Sequence, residues 1–162
     1  MNHFSEGIAY AQDIVDSKIV SNKWIKLACQ RFLDDLNNES ADWYFNEDKA
    51  QHIHDFYTHL IKHVTGTLAG QPYILSDWES FILCNLFGFV SKKDDKTRRF
   101  HNAICYVARK NSKTTIGGAM VLYHLLSDGE EGAQAFAVAT QRDQAKLVWE
   151  SAARMVTKMP SA

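Results

Sequence analysis

The chain is predicted to be an α/β protein. It opens with a helical N-terminal region and continues into a parallel sheet with crossover helices, which the sequence begins but does not finish. Three observations predict this. Two short apolar runs, residues 102–107 and 133–139, have the length of buried strands. Each is followed by a stretch of helical period, 113–126 and 140–155. Between the first run and its helix lies a polar loop, Val107-Ala108-Arg109-Lys110-Asn111-Ser112-Lys113-Thr114-Thr115. Strand, loop, helix, strand and helix in this order predict a parallel sheet with crossover helices.

The elements before that unit read as helices. Residues 8–20 are a short helical stretch. Residues 23–36 are stronger, with Trp24, Leu27, Ala28, Arg31, Phe32 and Leu36 on one face. A polar loop, 37–42, precedes a helix starting at Asn46 or Glu47, with Ala50, Ile53, Phe56, Tyr57, Leu60, Ile61 and Val64 on one stripe. Gly66, Gly70 and Pro72 mark a break, which divides a helical lead-in, 1–69, from the next region, 70–162. Asp77 is a candidate cap for a helix through Trp78, Phe81, Ile82, Asn85 and Leu86 that stops at Gly88. Residues 89–100 surround a charged turn and suggest a hairpin. Thr140 is the candidate cap of the last helix, with Ala145, Val148, Trp149, Ala152 and Met155 as its apolar face.

Composition narrows the function. The chain has 162 residues and a net charge of −1, so it is not, as a whole, an electrostatic binder of nucleic acid. Cys29, Cys84 and Cys105 lie singly in apolar surroundings without metal-ligand spacing and read as reduced core residues. No apolar run is long enough to span a bilayer and no secretory leader is apparent, so no membrane partner is expected.

The loop carries the chemistry. Backbone N–H groups at a helix start, reinforced by the helix dipole, favour an anion. Lys113 has the reach for the outer phosphates of a nucleotide, and the Thr114 hydroxyl suits Mg²⁺. Where the common phosphate loop has glycines, this chain has Val107 and Ser112. Ser112 is small, and Asn111 tolerates left-handed geometry.

The pieces Gln71-Pro72-Tyr73-Ile74-Leu75-Ser76-Asp77-Trp78-Glu79, Asn85-Leu86-Phe87-Gly88, Thr97-Arg98-Arg99-Phe100, the loop itself and Ala139-Thr140-Gln141-Arg142-Asp143-Gln144-Ala145 follow one another in order. Together they resemble the start of the ATPase domain of tailed-phage terminase large subunits, the motors that package DNA. That family has an Ala-Arg-Lys-Asn-small-Lys-Ser/Thr loop as its variant Walker A, so the absent glycines fit the resemblance. The resemblance implies a P-loop NTPase fold and hydrolysis of ATP with Mg²⁺. The implied partners are double-stranded DNA, a portal protein, a small terminase subunit and further copies in a ring, within the bacterial host's cytoplasm. It also implies an acidic Walker B strand end and a nuclease domain. No carboxylate after Thr115 closes an apolar run, so the sequence reads as an N-terminal piece, and residues 1–162 alone are expected to turn over little ATP.

By the same resemblance, nucleotide contacts fall to Arg109, Lys110, Asn111, Ser112, Lys113, Thr114 and Thr115, with Lys113 and Arg109 catalytic. Arg109 either stabilises charge on the γ-phosphate or gives general electrostatic support. Trp78 and Glu79 stand where the family has a Trp-Gln pair near the adenine. An ionised Glu79 only accepts hydrogen bonds, so adenine selectivity is open, as is a purely structural role for Trp78.

The Lys92, Lys93, Lys96, Arg98 and Arg99 cluster, against Asp94 and Asp95, is either a solvated turn or a DNA contact. His52, His54, His59 and His63 read as structural or surface histidines. Gln141 and Arg142 either couple to a neighbour or simply open a helix. Two other classes remain open: a helical adaptor with a vestigial phosphate loop, and a different P-loop NTPase.

Overall fold

The computed structural model describes residues 4–159. The chain divides into two compact units, one made of Met1–Asp55 and Leu75–Ala103, the other of Phe56–Ile74 and Ile104–Ala162.

The first unit is built on aromatic packing. Helix α1 (Phe4–Val15) buries Phe4, Gly7, Ala11 and Ile14, one face at spacings of three and four. It ends before Ser17, whose φ is +61°. Helix α1 is therefore shifted toward the N-terminus from the predicted 8–20. Helix α2 (Lys23–Leu36) has the predicted bounds and is capped by Asn22, whose side chain accepts from Trp24 N at 2.9 Å and Ile25 N at 3.0 Å. Its inner face centres on Cys29 and Phe32, while Trp24, at 74% exposure, and Leu27 turn outward. Trp24 instead lies under the Lys23 ammonium, 5.7 Å from the ring centroid.

Strand β1 (Trp43–Phe45) leads into helix α3 (Glu47–Asp55), where Asn46 accepts from Lys49 N at 3.0 Å. Helix α4 (Asp77–Gly88) runs directly into strand β2 (Phe89–Ser91). The cap of α4 is Ser76, not Asp77, because Glu79 reaches back to the Ser76 N–H at 2.8 Å, half of a capping box.

A Cβ on Gly7 would stand 2.9 Å from the main chain of Ser80 and Phe81, so the missing side chain permits the close approach of α1 to α4. Strands β1 and β2 pair antiparallel, with Phe45 opposite Phe89. Phe32 meets Phe45, Phe81 and Phe89 edge-to-face at 6.0, 5.4 and 5.8 Å, the geometry the ring quadrupoles favour.

The predicted hairpin over 89–100 forms. Ser91 N donates to Thr97 O at 2.9 Å and Arg99 N to Phe89 O at 3.0 Å. Its charges are mostly engaged. Arg98 lies over Phe87, and Arg99 over Phe89 and Phe100; Arg99 also pairs with Asp35 at 2.8 Å. Asp94 takes the Lys96 and Thr97 N–H groups and the Thr97 hydroxyl, and the Thr97 bonds above all hold its carboxyl down at about 2.

The second unit starts where the predicted third helix changes character. Its apolar stripe continues past α3, but residues Phe56–Leu60 wind as a π turn. A small hairpin follows, with Tyr73 N donating to Ile61 O and His63 N to Gln71 O, both at 2.9 Å, closed through Gly66 and Gly70 at φ +79° and +88°. Helix α5 (Lys113–Leu126) has the predicted bounds. Helix α6 (Arg142–Val156) starts after Gln141, not Thr140. It buries Ser151, Ala152 and Met155, and Trp149 faces outward, because Gly118 of α5 admits the Ala152 N and the Ser151 hydroxyl, each 3.2 Å from where a Cβ would be.

The structure is thus a mixed helix and strand chain, whose sheet among the described residues is the β1–β2 pair. The two predicted parallel strands, 102–107 and 133–139, do not pair among the described residues. Ile104, Tyr106, Phe136 and Val138 are 81–99% exposed. A parallel strand needs neighbours along its edges and helices over its faces, and these residues have neither. No helix of the described residues is long and apolar enough to cross a membrane.

Candidate functional site

The loop preceding α5 is held in shape by its own main chain. Lys110 and Ser112 are both left-handed, with φ +67° and +47°. Ser112 therefore adopts the backbone conformation for which most phosphate loops carry glycine, and its short side chain is what makes that tolerable. Asn111 Nδ2 donates across the turn to Ala108 O at 3.3 Å. Lys113 Nζ curls back over the loop and donates to Val107 O at 2.6 Å and Ala108 O at 2.8 Å. The ammonium is thereby parked beside the loop by neutral carbonyls.

The start of α5 is electropositive. Ile116 N donates to Ser112 O at 2.8 Å and closes the first turn. The N–H groups of the first three helical residues, Lys113, Thr114 and Thr115, precede any intrahelical acceptor, and Ser112 makes no side-chain cap. Thr114 is exposed and Thr115 half-buried in this turn. Arg109 and Lys110 are exposed, and Arg109 makes no side-chain hydrogen bond or ion pair among the described residues. The second unit therefore gathers the seven loop residues, Arg109 to Thr115, around one helix terminus.

Trp78 and Glu79 belong to α4 in the first unit. Trp78 is half-buried. Glu79 is buried, and its Oε2 accepts from both the Ser76 N–H and the Ser76 hydroxyl at 2.8 Å, an engagement that fixes the start of α4.

The histidines are spread among structural contacts. His54 is buried with Nε2 at 3.6 Å from Cys84 Sγ, and His63 packs on Tyr73 at 4.9 Å between centroids. Burial, with a smaller contribution from the Glu6 charge, pushes the Cys84 thiol up to about 12. Burial likewise raises Cys29 to about 11.

One residue near the site escaped the sequence reading. Tyr57 counted there only as part of an apolar stripe. Its side chain is fully buried, and its hydroxyl donates to Ile116 O at 3.0 Å, in the first turn of α5. Helical periodicity places the ring correctly but says nothing about where the hydroxyl goes.

Two left-handed loop residues, a lysine folded over them and an uncapped helix start make this the candidate site, since open N–H groups at a helix start favour an anion. The family described as terminase large subunit, ATPase domain, matches residues 77–162, more than half of the chain and all of this site. The chain belongs to that family. No curated protein and no solved structure matches it.

Proposed function

We propose that residues 107–115 and the first turn of α5 are the nucleotide cradle of a viral DNA-packaging motor. In this reading residues 70–162 begin its ATPase domain, and residues 1–69 are the helical lead-in. The observation that carries the proposal is the posture of Lys113, parked on two loop carbonyls above an uncapped helix start in a terminase-family chain.

ATP with Mg²⁺ fits the donor set. The free N–H groups of residues 113–115 suit phosphate oxygens, and the exposed Thr114 hydroxyl suits the ion. Bound Mg·ATP supplies the phosphoryl group whose transfer to water drives the motor. Lys113 exchanges its neutral carbonyl acceptors for charged oxygens, a stronger pairing. Arg109, unengaged among the described residues, is available to offset charge on the γ-phosphate. Trp78 and Glu79 are proposed to lie toward the adenine. The runs at 102–107 and 133–139 are proposed as strands of the P-loop sheet once neighbours cover them. The work performed is translocation of double-stranded DNA into procapsids in the host cytoplasm, by a ring of copies working with a portal protein and a small subunit.

Lys113→Ala tests this in the full-length protein. It removes the flexible cation while keeping a strong helix former at the first turn. ATPase activity is expected to fall at least about a hundredfold, the scale of losing one major charge-stabilising group. Turnover at the wild-type rate in this variant would reject the assignment and favour the adaptor reading.

A further inference from the structure

We infer that Tyr57 is a positioning residue for the phosphate cradle. The inference rests on the cradle reading above and adds a residue that lies outside the matched region, 77–162. Ile116 is the residue that closes the first turn of α5. Its N–H is tied to Ser112 O at 2.8 Å, and its carbonyl accepts the Tyr57 hydroxyl at 3.0 Å. The chain of contacts thus runs from Tyr57 through one residue to Ser112, the left-handed hinge of the loop.

Tyr57 is itself held rigidly. It is fully buried in the π turn Phe56–Leu60, with its ring 6.1 Å from that of Tyr73. The preceding Phe56 packs edge-to-face on Tyr123 of α5 at 5.3 Å. A π turn is an uncommon winding that re-aims the side chains it carries. Here it places two consecutive aromatics against two successive parts of α5, the hydroxyl at the first turn and the Phe56 ring two turns further on. The Ile116 carbonyl also lies inside the helix, where the backbone ladder already supplies a donor. The phenol bond is therefore an additional restraint on the helix start rather than satisfaction of an orphan group. A phosphate cradle depends on N–H groups fixed before the ligand arrives, so this restraint bears on nucleotide affinity through pre-organisation.

The test is a titration of Mg·ATP into the whole protein, wild type against Tyr57→Phe, with Met155→Leu as a buried, volume-conserving control in the same unit. Tyr57→Phe keeps the ring and removes only the hydroxyl. Affinity is expected to fall about three- to tenfold, the scale of one neutral hydrogen bond. Amide exchange at residues 113–116 is expected to speed up in the same variant. Met155→Leu is expected to bind as wild type even where its melting temperature drops.

Wild-type affinity in Tyr57→Phe, with Lys113→Ala still losing nucleotide, overturns the positioning role and leaves the cradle standing. Failure of the wild type to bind nucleotide overturns both. Equal weakening in Met155→Leu also overturns it, because general stability then accounts for the effect. If Tyr57→Phe does not fold, 3-fluorotyrosine at position 57 takes its place. Its more acidic hydroxyl is a stronger donor, so tighter binding supports the role and unchanged binding overturns it.

Discussion

The helix starts of the two units differ in where their side chains go. In the first, Asn22 accepts from the opening N–H groups of α2, Asn46 caps α3, and the Glu79 carboxylate sits at the first turn of α4. In the second, neither α5 nor α6 has a side-chain cap, and α5 begins from a left-handed serine. A helix start without a cap gives up about 1 kcal/mol. The unit that gives this up at α5 is the one that places Lys113 and two threonines there. The first unit spends its polar groups on its own architecture, while the second leaves the N–H groups at the start of α5 without a side-chain cap. Under the proposed function, stability and binding fall to different stretches of one chain.

The sharpest way to break that contrast is at Ser112. Ser112→Leu places a branched side chain on a left-handed residue whose neighbours, in the proposed cradle, approach phosphate. Nucleotide binding by the full-length protein is expected to vanish while the far-UV circular dichroism stays unchanged, because the loop is exposed and outside any core. Wild-type affinity in this variant would show that the helix start is not a binding surface.

Phe32→Ala probes the other side. It removes the ring around which Phe45, Phe81 and Phe89 pack, and a loss of about 3–5 kcal/mol is expected in denaturant unfolding. A loss below about 1 kcal/mol would mean that the aromatic cluster does not organise the first unit.

A gentler contrast comes from pH. The Cys84 thiol ionises near 12 when folded and near 9 when exposed, because burial disfavours the thiolate. The folded state holds its proton where the unfolded state has lost it. The stabilisation is complete below about pH 9 and is lost as pH rises toward 12. Cys29 adds to the same decline, up to about 11. Melting temperature is expected to fall across this window and to fall less steeply in Cys84→Ala. Identical slopes in the two proteins would remove Cys84 from the account.

The smallest effect is Ser112→Gly. Glycine takes a φ of +47° without the penalty a Cβ brings, but it also loosens the unfolded chain. The two terms nearly cancel, so a stability change within about 1 kcal/mol and retained nucleotide binding are expected. A large drop in melting temperature would show that the serine side chain makes contacts of its own.

The sequence disclosed these regions unequally. The bounds of α2 and α5 and the hairpin over 89–100 were legible, because periodicity and a charged turn are local signals. The caps of α4 and α6 each missed by one residue. Ser76 stands beside Asp77 and Thr140 beside Gln141, and in each pair only backbone geometry decides where the helix starts. Trp24 and Trp149 read as core, yet both face outward, since an apolar type does not fix the direction of a helix face. The strands at 102–107 and 133–139 could not be settled locally, because a strand exists only with its neighbours. At the site, the residue types of the loop were legible. The fold of Lys113 onto its own loop and the reach of Tyr57 depend on contacts between distant positions.

The three cysteines offer an experimental handle. Cys29 and Cys84 are buried and hold their protons, while Cys105 is exposed, two residues before Val107. A maleimide dye at neutral pH should therefore attach at Cys105 alone, since a thiolate that water can reach is the form that reacts. Among the described residues this leaves one labelling position, beside the proposed cradle, where a fluorophore would test for nucleotide arrival without any engineered residue.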